Sequence, residues 1–162
     1  MIRPFAAVLL ALTAFAPLAA SAALRAGDPE PALTFQTAVG NKTLALAAYK
    51  GKPVYLNFFA TWCPPCNSEA PAVGKLASTY AKRGLAVIGV DELESAPKAQ
   101  SFMTQYHLSY PAVLDADGGA LRAFGGFGLP VHVFIARNGT VKLVHIGEMS
   151  PPEIEAAIKS IL

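Results

Sequence analysis

The chain has two cysteines, and both stand in one short motif, Trp62-Cys63-Pro64-Pro65-Cys66. The motif lies between an apolar run, Pro53 to Ala60 (PVYLNFFA), and a helical stretch from about Pro65 to Arg83. An almost continuously apolar and aromatic run is what a strand buried on both faces requires. In the stretch that follows, Ala72, Val73, Leu76 and Tyr80 form an apolar stripe, Pro71 is expected to kink the helix, and Gly84 closes it. A helix N-terminus offers unpaired N–H groups and a positive dipole end, both of which favour a thiolate. Two intervening residues let the cysteines close a small ring, which Pro64-Pro65 stiffens while removing donors that would need partners. A thiol of lowered pKa with a second thiol in reach is what thiol–disulfide exchange demands. A stapling disulfide is the weaker reading, because a loop this short gains only about 2 kcal/mol in the chain-entropy model, against about 4.7 for a loop near 100 residues. A metal centre would need further ligands from His107, His132 or His145, and none is expected.

The rest of the chain alternates strands with helices. Leu33-Thr34-Phe35-Gln36 and Thr43-Leu44-Ala45-Leu46 flank the turn signal Gly40-Asn41 and predict an N-terminal β-hairpin. Leu85 to Val90 is a second buried strand, and Ala96 to His107 a helix with Phe102, Met103 and Tyr106 inward. Ala112 to Leu114 is a short strand followed by a turn over Asp115 to Gly119. Val131 to Ala136 and Val141 to Ile146 pair through Arg137-Asn138-Gly139-Thr140, and Pro151-Pro152-Glu153 opens a final helix. This order specifies an α/β domain with a central mixed β-sheet flanked by helices.

Residues 1–22 read differently. Arg3 precedes an uncharged stretch from Pro4 to Leu24 that ends in Ala20-Ser21-Ala22. A basic start, an apolar middle and a small-x-small exit describe a secretory signal peptide cut before Ala23, with an uncleaved membrane anchor as the rival. Export follows either way, and residues 23–162 make one domain of ordinary size. A net charge of +2 with no basic run argues against nucleic acid as a partner.

The run from Gly51 through Trp62-Cys63-Pro64-Pro65-Cys66 to Pro71 (GKPVYLNFFATWCPPCNSEAP) resembles the signature of exported thioredoxin-fold proteins of the TlpA/ResA type. The similarity extends over roughly Pro31 to Leu162 and includes Gly128-Leu129-Pro130 and the closing hairpin and helix. It implies a thioredoxin fold with the hairpin as an N-terminal extension. It also implies an enzyme, a thiol–disulfide oxidoreductase with a redox-active Cys63–Cys66 disulfide. Cys63 would be the exposed nucleophile and Cys66 the partly buried resolving thiol. Trp62 would cap the site. Pro130 matches the family's cis-proline, and the backbone of Leu129 before it would pair with an extended substrate segment.

Four further positions are weighed against that pattern. Asn57 stands six residues before Cys63, where thioredoxin has a buried Asp, and cannot act as a base. Some family members place a Glu after the next strand; Glu92 aligns best and is expected to relay the proton of Cys66, with a solvated loop acid as the alternative. Glu69 matches a CxxCxxE pattern, either ordering the helix start or lying on the surface. His132 departs from the family, as a hydrogen-bonded core histidine or as an imidazole near the sulfurs.

The family precedent makes the protein a periplasmic reductase of protein disulfides; the exchange chemistry needs no dissociable cofactor, and nothing in the sequence argues beyond a monomer. A membrane protein of the thiol–disulfide type would re-reduce it, and apocytochrome c thiols (cytochrome c biogenesis) or copper-site assembly proteins would be its substrates. A disulfide-donating oxidase of the same fold is the enzymatic alternative. A copper carrier using Cys63, Cys66 and His132 is the non-enzymatic one. A peroxidase is set aside, since Phe59-Ala60-Thr61-Trp62 lacks the threonine arrangement that chemistry uses.

Overall fold

The computed structural model describes residues 23–162; the expected signal peptide or anchor at 1–22 lies outside the described residues. Seven strands form one sheet: β1 (Thr34–Thr37), β2 (Thr43–Ala45), β3 (Val54–Phe59), β4 (Ala86–Glu92), β5 (Ala112–Asp115), β6 (Val131–Ile135) and β7 (Val141–Ile146), in the order β2-β1-β5-β4-β3-β6-β7. Four helices accompany them: α1 (Pro64–Ala81), α2 (Ala96–Gln105), α3 (Gly119–Ala123) and α4 (Pro151–Ile161). The sheet is mixed, since β3, β4 and β5 run parallel while β1, β6 and β7 pair antiparallel to their neighbours. This is the predicted mixed-sheet α/β domain. The N-terminal hairpin forms as expected and joins the sheet through β1 and β5.

Central β3 is buried at every residue, so its two faces organise two cores. Val54, Leu56 and Phe58 pack with Ile88, Val90, Val113, Leu121 and Phe124 on the α3 side. Tyr55 packs with Val73, Tyr80, Phe134, Ile154 and Ile158 on the side of α1 and α4. Phe59 heads a third cluster with Ala60, both cysteines, Ala70, Phe102 and Leu108. The crossovers β3-α1-β4 and β4-α2-β5 step the same way across the sheet, and right-handed connections then place α1 and α2 on one face. The motif therefore sits at the carboxyl ends of the parallel strands, where open α/β sheets leave an accessible crevice.

Three local departures from the sequence reading have physical causes. A 3-10 helix over Leu46–Tyr49 follows the hairpin, with Leu46 buried and its N–H bonded to the Leu33 carbonyl. The turn after β5 opens the short helix α3, because Asp115 accepts the N–H groups of Ala120 and Leu121 with both carboxylate oxygens. In α1 the buried stripe is Cys66, Glu69, Ala70, Val73, Ala77 and Tyr80, with Ala72 and Leu76 only half buried. Pro71 withdraws a donor from the ladder, yet α1 runs on through it. Among the described residues no helix is long and apolar enough to cross a membrane.

Candidate functional site

Cys63 is the N-cap residue of α1, with extended backbone, and its Sγ accepts the N–H of Cys66 at 3.3 Å. Pro64 and Pro65 fill the first two helical positions, where a missing N–H leaves nothing unpaired. The cysteines are joined as a disulfide with Cα atoms 5.3 Å apart, so the small ring expected from the spacing is closed. The helix behind it is 18 residues long and directs its dipole at the sulfurs. The expected exposure of Cys63 is corrected here: in the disulfide form Cys63 is 2% and Cys66 4% exposed. Phe59, Ala60, Phe102 and Leu108, with half-buried Leu129, pack into the same cluster and cover the pair.

The strand-to-helix turn is braced by residues the sequence reading did not single out. Glu94 accepts the Thr61 N–H at 2.6 Å and the Thr61 hydroxyl at 2.8 Å, while Lys98 donates to it at 3.0 Å. Burial opposes the Glu94 charge, but the hydrogen bonds from Thr61 and Lys98 outweigh it and hold the carboxyl below its usual pKa. Asn67 donates to the carbonyls of Cys63 at 2.7 Å and Thr61 at 3.1 Å, and its oxygen accepts from the Tyr106 hydroxyl at 2.8 Å. These contacts fix the loop before Cys63. The polar residues flanking the motif were visible in the sequence; their partners on α2 and the loop before it were not.

The Leu129–Pro130 peptide is cis, and Pro130 is buried immediately before β6. Phe58 of β3 is in register with Val131, which brings Pro130 and Leu129 to the strand end that leads into the cysteines. Leu129 packs partly against the cysteine cluster. Trp62 stands 66% exposed beside the disulfide, and Phe127, 89% exposed, lies in the loop leading to Pro130.

Strand alternation corrects the placement of Glu92. In the parallel register Asp91 lies beside Phe59, which packs with the cysteines, so Glu92 points to the opposite face of the sheet. Its Oε1 approaches Gly118, and its electrostatic neighbours are Asp115 and Arg122. Burial first, then the charge and hydrogen bond of Asp115, push its pKa up to about 7. Glu92 is therefore not brought beside the cysteine pair. The carboxylate at this strand end that faces the cysteine side is Asp91, wholly buried with both oxygens unpartnered. Burial and then the Glu94 charge raise its pKa to about 7.

Glu69 is buried rather than a surface acid, because it lies three positions after Cys66 on the inner stripe of α1. Its Oε1 accepts the Met149 N–H, and its Oε2 lies 3.3 Å from Nε2 of His132. The second ring nitrogen of His132, Nδ1, is 2.8 Å from the Tyr55 hydroxyl. His132 is thus a wholly buried histidine whose Nδ1 meets the Tyr55 hydroxyl while its Nε2 faces Glu69 at ion-pair distance without an aligned hydrogen bond, and the copper set Cys63/Cys66/His132 is not assembled. Among the described residues no group of three or more His, Cys, Asp or Glu side chains is arranged to hold a metal ion. Asn57 is buried and in register with His132, and His107 and His145 lie apart from the sulfurs at an exposed turn and on β7.

A closed two-residue cysteine ring at a helix N-terminus, beside a cis-proline, suits thiol–disulfide exchange. Comparison with known proteins agrees. The Redoxin family model matches residues 25–159. The thiol-disulfide oxidoreductase ResA of Bacillus thuringiensis subsp. konkukian is 33% identical over 125 residues, covering 77% of this chain and 72% of its own. ResA of Geobacillus thermodenitrificans is 35% identical over 116 residues, 72% of this chain and 67% of its own. The crystal structure of a thiol:disulfide interchange protein of the thioredoxin family from Chlorobium tepidum superposes with a TM-score of 0.73 at 33% identity, covering 86% of this chain and 99% of that one. The chain belongs to the Redoxin family and is a thioredoxin-fold thiol–disulfide oxidoreductase.

Proposed function

We propose that the protein is an exported reductase of protein disulfides that works through a mixed disulfide at Cys63. The observation that carries this reading is the position of Cys63 as N-cap of α1, where helix N–H groups and dipole favour its thiolate over that of Cys66. The Cys63 thiolate attacks one sulfur of a substrate disulfide, forming the mixed disulfide and expelling the other sulfur as a thiolate. Cys66, once deprotonated, attacks Cys63 Sγ, closes the Cys63–Cys66 bond and leaves the substrate as a dithiol. Two electrons pass to the substrate and none to a cofactor. Trp62 and the Leu129 backbone beside Pro130 hold the substrate segment against the sulfurs.

The oxidised form then needs a dithiol donor, which for an exported protein is a membrane protein of the thiol–disulfide type. Apocytochrome c thiols and copper-site assembly proteins are the substrates we propose, and residues 1–22 act as the export signal or anchor. The deciding experiment is the reduction potential of the Cys63–Cys66 pair, by equilibration with glutathione or dithiothreitol at pH 7. A value near thioredoxin's roughly −270 mV supports the reductase. A value near roughly −120 mV makes the protein a disulfide donor and reverses the direction of electron flow.

A further inference from the structure

Tyr55 on β3, Glu69 on α1 and His132 on β6 meet in the core and have no part in the exchange steps above. We propose that the His132–Glu69 pair takes up a proton when the Cys63–Cys66 disulfide is reduced, which makes His132 a positioning residue of the redox couple. The proposal rests on the dithiol–disulfide chemistry of the pair and not on its direction.

Reduction replaces a neutral disulfide with a Cys63 thiolate and a Cys66 thiol, so a negative charge appears at the N-terminus of α1. Glu69, on the same buried stripe one turn beyond Cys66, already places a carboxylate there. Two anions in a water-excluded region repel strongly. The group positioned to offset them is His132, with Nε2 at 3.3 Å from Glu69 Oε2. The contact has ion-pair distance, yet neither atom is engaged in an aligned hydrogen bond, so the pair has room to tighten when the imidazole becomes charged. Tyr55 suits both states of the ring. Its hydroxyl can donate to Nδ1 of the neutral imidazole or accept from Nδ1–H of the imidazolium. Burial pushes its own pKa well above the usual tyrosine value, so it does not compete as an acid.

The step balances. The protein disulfide and a dithiol give the Cys63 thiolate, the Cys66 thiol, the donor's disulfide and one proton, which the imidazole takes.

The groups around the pair are few. From β3 come Tyr55 and, in register, Asn57; from α1, Glu69; from β7, His145, its ring centroid 6.1 Å from that of His132. Tyr110 lies within electrostatic reach of Tyr55, and the Met149 N–H holds the far oxygen of Glu69. His145 is half exposed, and its Nε2 lies 3.3 Å from the Glu148 carbonyl, away from the Glu69 carboxylate.

The test is a ring-nitrogen NMR titration of the histidines in the whole protein, held oxidised and then reduced with excess dithiothreitol. His132→Gln and His145→Gln assign the signals. A unit charge on the order of 10 Å from a titrating group, at an effective dielectric near 20, moves its midpoint by about one pH unit, so a rise of about that size is expected for His132 on reduction, with exposed His107 unchanged. By reciprocity, the equilibrium constant with dithiothreitol gains a pH dependence of about tenfold that His132→Gln abolishes. Equal His132 midpoints in the two redox forms, with the pair still exchanging reversibly with dithiothreitol, overturn this inference alone. A pair that does not exchange with dithiothreitol overturns both it and the exchange chemistry. The decisive titration uses the unaltered chain, so a poorly folding variant does not blur the outcome.

Discussion

Replacing Asp91 by Asn should reverse its effect on stability between acid and alkaline pH. Asp91 is wholly buried, its two oxygens have no hydrogen-bond partner, and its pKa rises from 3.8 to about 7, through burial first and the Glu94 charge second. A carboxyl whose pKa is higher in the folded than in the unfolded chain holds its proton more tightly when folded. Stability is therefore lost as pH rises from the unfolded value through the folded one. Three units at 1.36 kcal/mol each amount to about 4 kcal/mol by pH 8.5, most of it absent at pH 4. Asn has nearly the same shape and carries no charge at any of these pH values. Its amide brings N–H groups that find no acceptor, which costs about 1–3 kcal/mol at every pH. The two terms differ in pH dependence, so the curves cross. The variant is less stable than the parent at pH 4 and more stable at pH 8.5, with a relative swing of about 4 kcal/mol. Urea unfolding of the oxidised protein across that range measures it directly; Glu92, which titrates in the same window, is altered by the substitution only through the smallest cause of its shift, the Asp91 charge. A difference that stays flat within about 1 kcal/mol from pH 4 to 8.5 would refute the assignment of a buried, unpartnered carboxyl to Asp91.

Cys66→Ser should accumulate the mixed disulfide at Cys63 and lose turnover, read by mass spectrometry of the trapped adduct with a disulfide substrate; free release of product would show that Cys66 is not the resolving thiol. Phe124→Ala removes a fully buried ring that meets Phe58 edge-on, centroids 5.9 Å apart, and should cost about 3–5 kcal/mol in urea unfolding. Glu94→Gln weakens the anchor of Thr61, so hydrogen exchange at the Thr61 amide should speed up by about tenfold, corresponding to about 1.4 kcal/mol for a charge-assisted bond. An unchanged exchange rate would show that the turn is held without Glu94.

What could be read in advance followed from patterns that local chemistry enforces. An apolar run entering a CxxC and an amphipathic stretch specifies strand, turn and helix in that order, and β7 spans Val141–Ile146 as the Arg137-Asn138-Gly139-Thr140 turn signal predicted. Glu69 was readable too: it falls on the same 3–4 spacing as Cys66, Ala70, Val73, Ala77 and Tyr80, which are all buried. Its partner was not, because nothing within α1 announces a histidine on β6. Glu92 and Asp91 differ by one residue, and in a strand one residue changes the face. Choosing between them required the register of β4 against β3, which is a tertiary fact. Helix α3 was hidden for a similar reason, since the carboxylate that starts it belongs to the preceding strand.

Trp62 is the chain's single tryptophan, and it stands in solvent immediately before the disulfide. Disulfides quench nearby indole emission and thiols do so less. All tryptophan fluorescence from this protein therefore originates one residue from the reacting sulfurs. Its oxidation state can be followed optically in real time, without a label and without a background from the rest of the fold.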